Sequence, residues 1–272
     1  MKKWILILIP ALLWACVGQK EPPEPDIDPD PDPIVDPDDH QEEGTVPFHR
    51  VLALEFTATW CQYCPNLSDA LHQAKGLRPG RIVDIAVHQY DEVSPAEADA
   101  IVEYFKVSGF PQMVFDWDGE TMFNEQSASR ITDYVDATVV KPSCNLALEC
   151  SYADDKLEAK VAVMADEAAS YLVAAALVQD NIIVDNQAGY GSNYSCMSVL
   201  RSFLGAGMAG EALGNLEKDQ EKEYLFTYDF AIGTFQEADF KVVAFVRKNG
   251  NVVNAISAGL NEKIEYQYEK DN

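Results

Sequence analysis

The sequence predicts an α/β domain with a mixed sheet, followed by an all-β, sandwich-like domain. Strand-like apolar runs alternate with amphipathic helical patterns over residues 47–140, which is typical of an α/β domain. Beyond Lys141-Pro142 the apolar residues recur at every second position, and short strands without convincing helices favour a β-sandwich over residues 141–268. Ahead of both domains, residues 16–46 are acidic and rich in proline, which predicts a disordered linker.

The first domain is predicted to follow the order β-α-β-α-β-β-α. Its second helix begins at a capping box with proline at the first helical position, Ser94-Pro95-Ala96-Glu97. Its strands are Arg50–Phe56, Ile82–Val87, Met113–Trp117 and Glu120–Phe123, of which the last two form a hairpin around Asp118-Gly119. The apolar helix stripes are Leu67, Ala70, Leu71 and Ala74; Ala98, Ile101, Val102 and Phe105; and Ile131, Tyr134, Val135 and Thr138.

The second domain is predicted from alternating apolar residues and turn signals. Two arms meet at the turn Ala153-Asp154-Asp155, and a second hairpin turns at Asn249-Gly250. The predicted strands are Leu146–Tyr152, Leu157–Val163, Tyr171–Val178, Tyr224–Phe230, Phe240–Val246 and Val252–Ile256.

The N-terminus resembles a bacterial lipoprotein signal. Two lysines precede an apolar stretch from Trp4 to Ala15, which is too short to span a bilayer and fits a secretory signal over residues 1–15. Leu13-Trp14-Ala15-Cys16 resembles a lipobox, which implies lipidation of Cys16; an ordinary cleaved signal is the alternative. Val17 follows Cys16, which implies sorting to the outer membrane and leaves open which face of that membrane the protein occupies.

The linker and the net charge limit the classes of partner. Between Glu21 and Glu43, eleven of the residues are acidic, seven are proline and none is Lys or Arg. The whole chain carries a formal charge of −25, which argues against nucleic acid as a partner because phosphates need basic patches. We expect the outer membrane, reached through the lipid anchor, and other envelope proteins to be the partners.

Two cysteines in EFTATWCQYCPNLSDAL, residues 55–71, lie two residues apart between a strand and a helix. Cys61 and Cys64 would form a redox-active pair, a structural disulfide or part of a zinc site. Zinc needs four ligands, and the chain has no second CxxC and no paired histidines among its four, so we expect no metal and no other cofactor.

Three further cysteines, Cys144, Cys150 and Cys196, belong to the second domain. Cys144 and Cys150 lie six positions apart on one predicted strand, so their side chains face the same side of it. They would be separated by about 20 Å, which is beyond the reach of a disulfide. Either of them would pair with Cys196, or all three would be buried thiols, which is the arrangement we favour.

Three features together resemble the thioredoxin superfamily over about residues 47–140. They are Trp60-Cys61-Gln62-Tyr63-Cys64 at the start of a helix, Gly109-Phe110-Pro111 before a strand, and Glu55 on the strand that precedes the cysteines. The resemblance implies a Cys61–Cys64 disulfide and a cis peptide bond at Pro111 beside it.

The resemblance also implies catalytic roles. Cys61 would be the nucleophile, because unpaired N–H groups and the dipole at the helix N-terminus favour its thiolate. Cys64 would resolve the mixed disulfide, and Glu55 would act as its base, the alternatives for Glu55 being a salt-bridge partner or an edge residue. Pro111 would leave the adjacent backbone free to hold an extended substrate.

Substrate contacts are predicted from the aromatic residues around the pair. Trp60, Tyr63 and Phe110 would form an apolar rim for an unfolded protein or a peptide. His88, after the second strand, is predicted to be a solvated polar residue rather than a catalyst.

The whole chain after the linker resembles the twenty-eight-kilodalton outer-membrane protein family, whose members pair a thioredoxin-like domain with a C-terminal β-rich domain. Relatives carry histidines just before the Val-Leu-Arg triplet, where this chain has Ser195-Cys196-Met197-Ser198. Family members are assigned as surface antigens, adhesins or redox proteins. The matching pieces are Glu55-Phe56-Thr57, Trp60–Asn66, Gln187, Tyr194, Val199-Leu200-Arg201 and Gly210-Glu211.

Two functions therefore remain open. The first is an exported thiol-disulfide oxidoreductase that acts on thiols or disulfides of envelope proteins. The second is a surface-exposed binding or adhesion lipoprotein in which the disulfide is structural and the β-rich domain binds a surface ligand.

Overall fold

A computed structural model describes residues 45–138, 141–230 and 239–270. The predicted signal peptide, the predicted lipidation site Cys16 and residues 16–44 of the predicted linker lie outside the described residues. The helices are α1 (Cys64–Leu77), α2 (Ala98–Phe105) and α3 (Ala128–Thr138). The strands are β1 (Val51–Thr57), β2 (Ile82–His88), β3 (Gln112–Phe115), β4 (Cys144–Ala153), β5 (Lys156–Ala165), β6 (Ala169–Gln179), β7 (Ile182–Val184), β8 (Tyr194–Cys196), β9 (Val199–Phe203), β10 (Glu211–Leu216), β11 (Glu221–Asp229), β12 (Phe240–Lys248), β13 (Asn251–Gly259) and β14 (Lys263–Ile264).

The larger sheet has eight strands and contains strands from both predicted domains. Its order is β13-β12-β6-β9-β2-β1-β3, with β10 also paired to β6. β1 runs parallel to β2 and antiparallel to β3, so the sheet is mixed, as predicted. β2 joins the second half through a parallel pairing of Ala86 with Val199 on β9. The division into two domains near residue 141 stays a prediction, because the two halves share this sheet.

Helices cover both faces of the sheet around β1. Every residue of β1 is buried, so alternate side chains face opposite layers. Val51 and Ala53 pack with the apolar faces of α1 and α3. Leu52, Leu54 and Phe56 pack with α2 and with apolar residues of β6 and β12. The start of α1 is thus fixed against the carboxyl end of β1.

The second half forms a two-sheet arrangement that agrees with the predicted β-rich fold. The smaller sheet has the order β11-β5-β4-β14. A single apolar core lies between it and the larger sheet, and contains Tyr171, Leu177 and Phe226 among its largest members. Alternation along β5 explains this packing, since Leu157, Ala159, Val161 and Val163 are all turned inward and buried.

Two local predictions differ from the structure. Ser94 does not cap α2; its hydroxyl donates to Asp91 Oδ1 at 2.9 Å, and the helix begins later, at Ala98. The predicted second arm of the hairpin is reduced to one bridge between Met113 and Phe123. The reason is that the Thr121 hydroxyl bonds to both backbone groups of Phe115, and this interrupts regular pairing.

Cys144, Cys150 and Cys196 are free and buried, which confirms the favoured prediction. Cys144 and Cys150 lie on β4 and both point into the core between the two sheets. Within the part of the chain that the structure describes, no helix is both long and apolar enough to cross a membrane.

Candidate functional site

The two cysteines of the CxxC motif form a disulfide at the start of α1. The Cα atoms of Cys61 and Cys64 are 5.5 Å apart, and Cys64 is the first residue of the helix. Pro65 follows in the first turn, where its missing N–H costs no helical hydrogen bond. Cys61 is only 5% exposed, and Cys64 is more deeply buried behind it.

The segment around Pro111 packs against this disulfide. The Phe110–Pro111 peptide bond is cis, as the resemblance implies. Phe110 contacts the small apolar cluster formed by Ala58, Cys61 and Cys64. Pro111 therefore leads into β3 directly beside the two cysteines.

An aromatic rim borders the disulfide. Trp60 and Tyr63 are 51% and 55% exposed, although each is next to a buried cysteine in the chain. The Trp60 and Phe110 rings meet edge to face, with 5.3 Å between their centroids. The Trp60 indole N–H donates to the Gln89 carbonyl at 2.8 Å, so the ring is held in place while half of it faces solvent.

Glu55 lies behind the disulfide on β1 and is buried. The Ser68 hydroxyl lies 2.6 Å from Glu55 Oε1 and 3.2 Å from the Cys64 carbonyl oxygen, so it lies between the acid and the second cysteine. Burial raises the pKa of Glu55 to about 7, although the hydrogen bond from Ser68 opposes this shift. A carboxyl group with such a pKa can exchange a proton near neutral pH.

His88 is buried at the end of β2, so the prediction that it is solvated was wrong. Its Nδ1 lies 2.7 Å from Asp91 Oδ2, which also accepts a hydrogen bond from the Thr59 backbone N–H at 2.8 Å. Burial opposes ionisation of Asp91, but the contacts with His88, Thr59 and Ser94 outweigh it and lower the pKa of Asp91. His88 and Asp91 thus support the turn that precedes Cys61.

A loop from the second half of the chain covers the other side of this turn. Gln187, between β7 and β8, is 2% exposed, and its side-chain amide donates to the carbonyls of Ala58 and Cys61 at 3.3 and 3.1 Å. The backbone N–H of Ala188 donates to the Thr59 carbonyl at 2.8 Å. This loop, defined as Gln187–Gly191, joins the CxxC turn to the second half.

A cavity of about 400 Å³ opens beside Glu55, on the side of β8. Its walls include Ser68, His88, Tyr194 and Cys196. Burial raises the pKa of the Cys196 thiol to about 12, so this cysteine stays protonated and is a poor nucleophile. The cavity therefore surrounds Glu55 with polar groups, and the cysteine in its wall does not add a reactive thiol to the Cys61–Cys64 pair.

The structure brings together the predicted residues Glu55, Trp60, Cys61, Tyr63, Cys64, Phe110 and Pro111 around one disulfide. Cys16 lies outside the described residues. Among residues 45–138, 141–230 and 239–270, no group of three or more His, Cys, Asp or Glu side chains is arranged to hold a metal ion.

Sequence reasoning missed Ser68, Asp91 and the role of Gln187. Ser68 carries a usable signal, since it lies four residues after Cys64 and hence on the same helix face. Gln187 offers no such local signal, because its partners in the CxxC turn lie far away in the chain. Asp91 lies only three residues after His88, but its other partner, Thr59, is also distant.

Comparison with known proteins adds a family and two similar folds. Residues 98–264 match the model of the outer membrane protein Omp28 family. HBP35 of Porphyromonas gingivalis is similar in structure, with a TM-score of 0.70, 19% identity, and coverage of 81% of this chain and 77% of that chain. A structural-genomics target from Agrobacterium tumefaciens has a TM-score of 0.53 and 14% identity over 80% of this chain and 97% of its own. At such identities these likenesses establish the fold alone.

No match was found among curated proteins. The family match covers more than half of the 272 residues. The chain therefore belongs to the Omp28 outer membrane protein family, which confirms the predicted family and the predicted location at the outer membrane.

Proposed function

We propose that this chain is an exported, lipid-anchored thiol-disulfide oxidoreductase that exchanges disulfides with cysteines of other envelope proteins. The observation that carries this proposal is the Cys61–Cys64 disulfide at the start of α1, with the cis Pro111 segment against it and Glu55 behind it. This arrangement resembles thioredoxin-like proteins. In this proposal residues 47–140 are a thioredoxin-like domain and residues 141–268 are a β-sandwich-like domain.

Cys61 is the proposed nucleophile and Cys64 the resolving thiol. Cys61 lies ahead of α1, where the positive end of the helix dipole favours a thiolate. Cys64 lies one turn further in and contacts Ser68, which in turn donates to Glu55. Glu55 in its ionised form accepts the proton of Cys64 when Cys64 attacks.

The proposed exchange has two steps, in which two electrons pass from the protein to the substrate. The Cys61 thiolate attacks one sulfur of a substrate disulfide, so a bond between protein and substrate sulfur forms, the substrate S–S bond breaks, and the released thiolate takes a proton. Cys64 then loses its proton to Glu55 and attacks Cys61 Sγ, which breaks the bond to the substrate, closes the protein disulfide and releases the second substrate sulfur as a thiolate that takes a proton from solvent. Two electrons pass to the substrate, and the reverse sequence oxidises a substrate dithiol.

The substrate class follows from the rim. Trp60 and Tyr63 expose about half of their aromatic surface beside the disulfide, and Phe110 packs against it. Aromatic rims of this kind bind apolar side chains of extended or unfolded chains. We therefore propose envelope proteins with exposed thiols or disulfides as substrates.

Thiol exchange by two single variants tests the proposal. The reduced protein is mixed with a peptide that contains one disulfide, and the released thiol is counted. Cys61→Ser should abolish exchange, while Cys64→Ser should accumulate a mixed disulfide that reducing agents release. Cys196→Ser, a change at a buried free cysteine, should leave exchange unchanged. If neither CxxC variant alters exchange, the proposal is wrong.

The second candidate function is a surface binding or adhesion lipoprotein with a structural disulfide. One observation favours it, namely that Cys61 is only 5% exposed. The reduction potential separates the two candidates, since thioredoxin-like couples lie at about −270 to −120 mV and structural disulfides typically below about −300 mV. A structural disulfide also predicts that the Cys61→Ser, Cys64→Ser double variant keeps its binding to a surface ligand.

Lipidation of Cys16 is part of the proposal and has its own test. Cys16→Ser should prevent incorporation of a labelled fatty acid, and it should move the protein from the membrane fraction to the soluble fraction. Retention of the label in the variant would contradict a lipid anchor at this residue.

A further inference from the structure

We propose that Gln187 and Gly189 are positioning residues for the Cys61–Cys64 pair, and that the Gln187–Gly191 loop limits access to the Cys61 sulfur. The inference deepens the proposed function. The part of it that concerns the selection of substrates rests on that function. It assigns a role at the redox site to residues more than a hundred positions away in the chain.

The first step is the hydrogen bonding of Gln187. Its side-chain nitrogen lies within 3.3 Å of three carbonyl oxygens, those of Ala58, Cys61 and Ala188. All three groups are acceptors, so the NH₂ end of the glutamine amide faces them and the oxygen end does not. The side chain thereby joins the first and last residues of the Ala58–Cys61 turn, in which the Cys61 N–H already bonds to the Ala58 carbonyl at 3.1 Å.

The second step is the close approach of Gly189. A Cβ at this position would lie 2.1 Å from the Gln62 carbonyl oxygen and 2.9 Å from its carbonyl carbon. Both atoms belong to backbone, so no side-chain rotation could relieve the overlap. Any larger residue at Gly189 must therefore push the loop away from the CxxC turn.

The third step is the closure of the loop itself. Gln187 and Gly191 exchange two backbone hydrogen bonds of 2.8 Å each, and the Ala188 N–H bonds to the Thr59 carbonyl. These bonds give the loop a fixed shape, so it keeps its position against the CxxC turn and does not move freely.

The consequence is selective shielding of the sulfur. Trp60 and Tyr63 are half exposed, whereas Cys61 between them is buried. Disulfide exchange requires the attacking sulfur to reach the attacked one, and its rate depends on this access. With the Gln187–Gly191 loop against the backbone of the CxxC turn and Phe110 against the disulfide itself, the proposed site admits an extended chain more readily than a disulfide embedded in a folded protein.

A pair of glycine variants tests this role. Gly189→Ala and Gly191→Ala both place a side chain at a positive φ, of +80° and +117° respectively, but an added Cβ meets nothing within 4 Å at Gly191. The comparison therefore separates displacement of the loop from backbone strain. The readout is the rate at which dithiothreitol reduces the Cys61–Cys64 disulfide in the full chain, followed by quenching and counting of thiols.

We expect Gly189→Ala to be reduced about tenfold faster than Gly191→Ala, which corresponds to about 1.4 kcal/mol in the barrier. Gln187→Ala should also speed reduction, and Gln187→Glu should do so more strongly, because a carboxylate facing three carbonyl oxygens repels them. These two variants give the answer if Gly189→Ala fails to fold. Equal rates in Gln187→Ala, Gln187→Glu and the unmodified protein would overturn the proposal.

The readout does not depend on the proposed enzymatic function. Dithiothreitol reduces an accessible disulfide whether that disulfide is catalytic or structural. Faster reduction in a protein that exchanges no disulfides with peptides would therefore support the positioning role and contradict the oxidoreductase.

Discussion

The Ser68 hydroxyl donates to the carboxylate of Glu55 at 2.6 Å and lies 3.2 Å from the Cys64 carbonyl oxygen. The acid on β1 and the second cysteine on α1 are therefore linked through one side chain.

Glu55→Gln should remove a pH-dependent step from thiol exchange. In the unmodified protein, closure of the disulfide should accelerate from about pH 6 to about pH 8, because Glu55, with a pKa of about 7, becomes an ionised base. The variant should lose this inflection and slow by about a hundredfold, the lower end of what a general base contributes. The measurement is the rate of release of the second peptide thiol after rapid mixing.

Asp69→Asn is the matched control for this experiment. Asp69 lies on α1 at the edge of the same cavity but is exposed. Its variant should keep the inflection. An unchanged pH profile in Glu55→Gln would show that Glu55 is not the base.

Glu55→Gln should also stabilise the protein above neutral pH. The pKa of Glu55 rises from 4.5 to about 7 on burial, so between these values the folded state holds a proton that the unfolded state releases. Stability therefore falls as pH rises through this window, and above it the ionised carboxylate costs roughly 3 kcal/mol. Urea unfolding at about pH 8 should show the variant to be more stable by up to this amount. At about pH 4 the two proteins should be equally stable, and a gain that persists there would contradict the explanation.

Asn254→Ala should destabilise the fold strongly. Asn254 on β13 accepts from the Arg50 N–H at 3.0 Å and donates to the carbonyls of Phe48 and Cys144 at 3.1 and 3.0 Å. Truncation leaves three backbone groups without this partner, two of them in buried hydrogen bonds, which should cost about 3 kcal/mol or more. Urea unfolding followed by circular dichroism measures the change.

Asn251→Ala serves as the control for Asn254→Ala. Asn251 begins the same strand and is exposed, so its replacement should have little effect. Equal unfolding midpoints for the two variants would mean that the buried hydrogen bonds of Asn254 contribute no stability.

Trp60→Ala should weaken action on peptides while leaving the disulfide itself intact. The variant loses the half-exposed indole and its contact with Phe110. We expect kcat/KM for a disulfide peptide to fall about tenfold, as the loss of one aromatic contact suggests. Reduction by dithiothreitol should not slow. Tyr104→Ala, a half-exposed aromatic on α2, should leave kcat/KM unchanged, and an equal loss in both variants would argue against a rim at Trp60.

The sequence predicted those parts of the site that depend on neighbouring residues. The strand before Cys61 and the helix after it follow from local apolar patterns, and the burial of Glu55 is what the resemblance to thioredoxin-like proteins implied. The prediction for His88 was wrong for a related reason. A polar residue at a strand end is normally solvated, but Asp91 folds back three residues later and supplies the partner that allows burial.

The contribution of Gln187 had no such local basis. It meets the Cys61 carbonyl across 126 positions of the chain, and that separation is bridged only because β9 pairs with β2 and brings the β7–β8 loop beside β1. Neither the spacing of apolar residues nor the spacing of a motif specifies which loop covers a given turn.

The sequence by itself determined the order of strand, CxxC motif and helix and the β-rich second half, because each arises from residue types at short spacing, and the resemblance to thioredoxin-like proteins implied the disulfide, the cis bond at Pro111 and the acid at Glu55. Only the tertiary structure decided that both halves share one sheet and that the second half holds the CxxC turn. The physical reason is that the paired strands and the carbonyls that Gln187 contacts are backbone groups, which every residue carries, so their partners are chosen by the packing of whole elements and not by side-chain pattern.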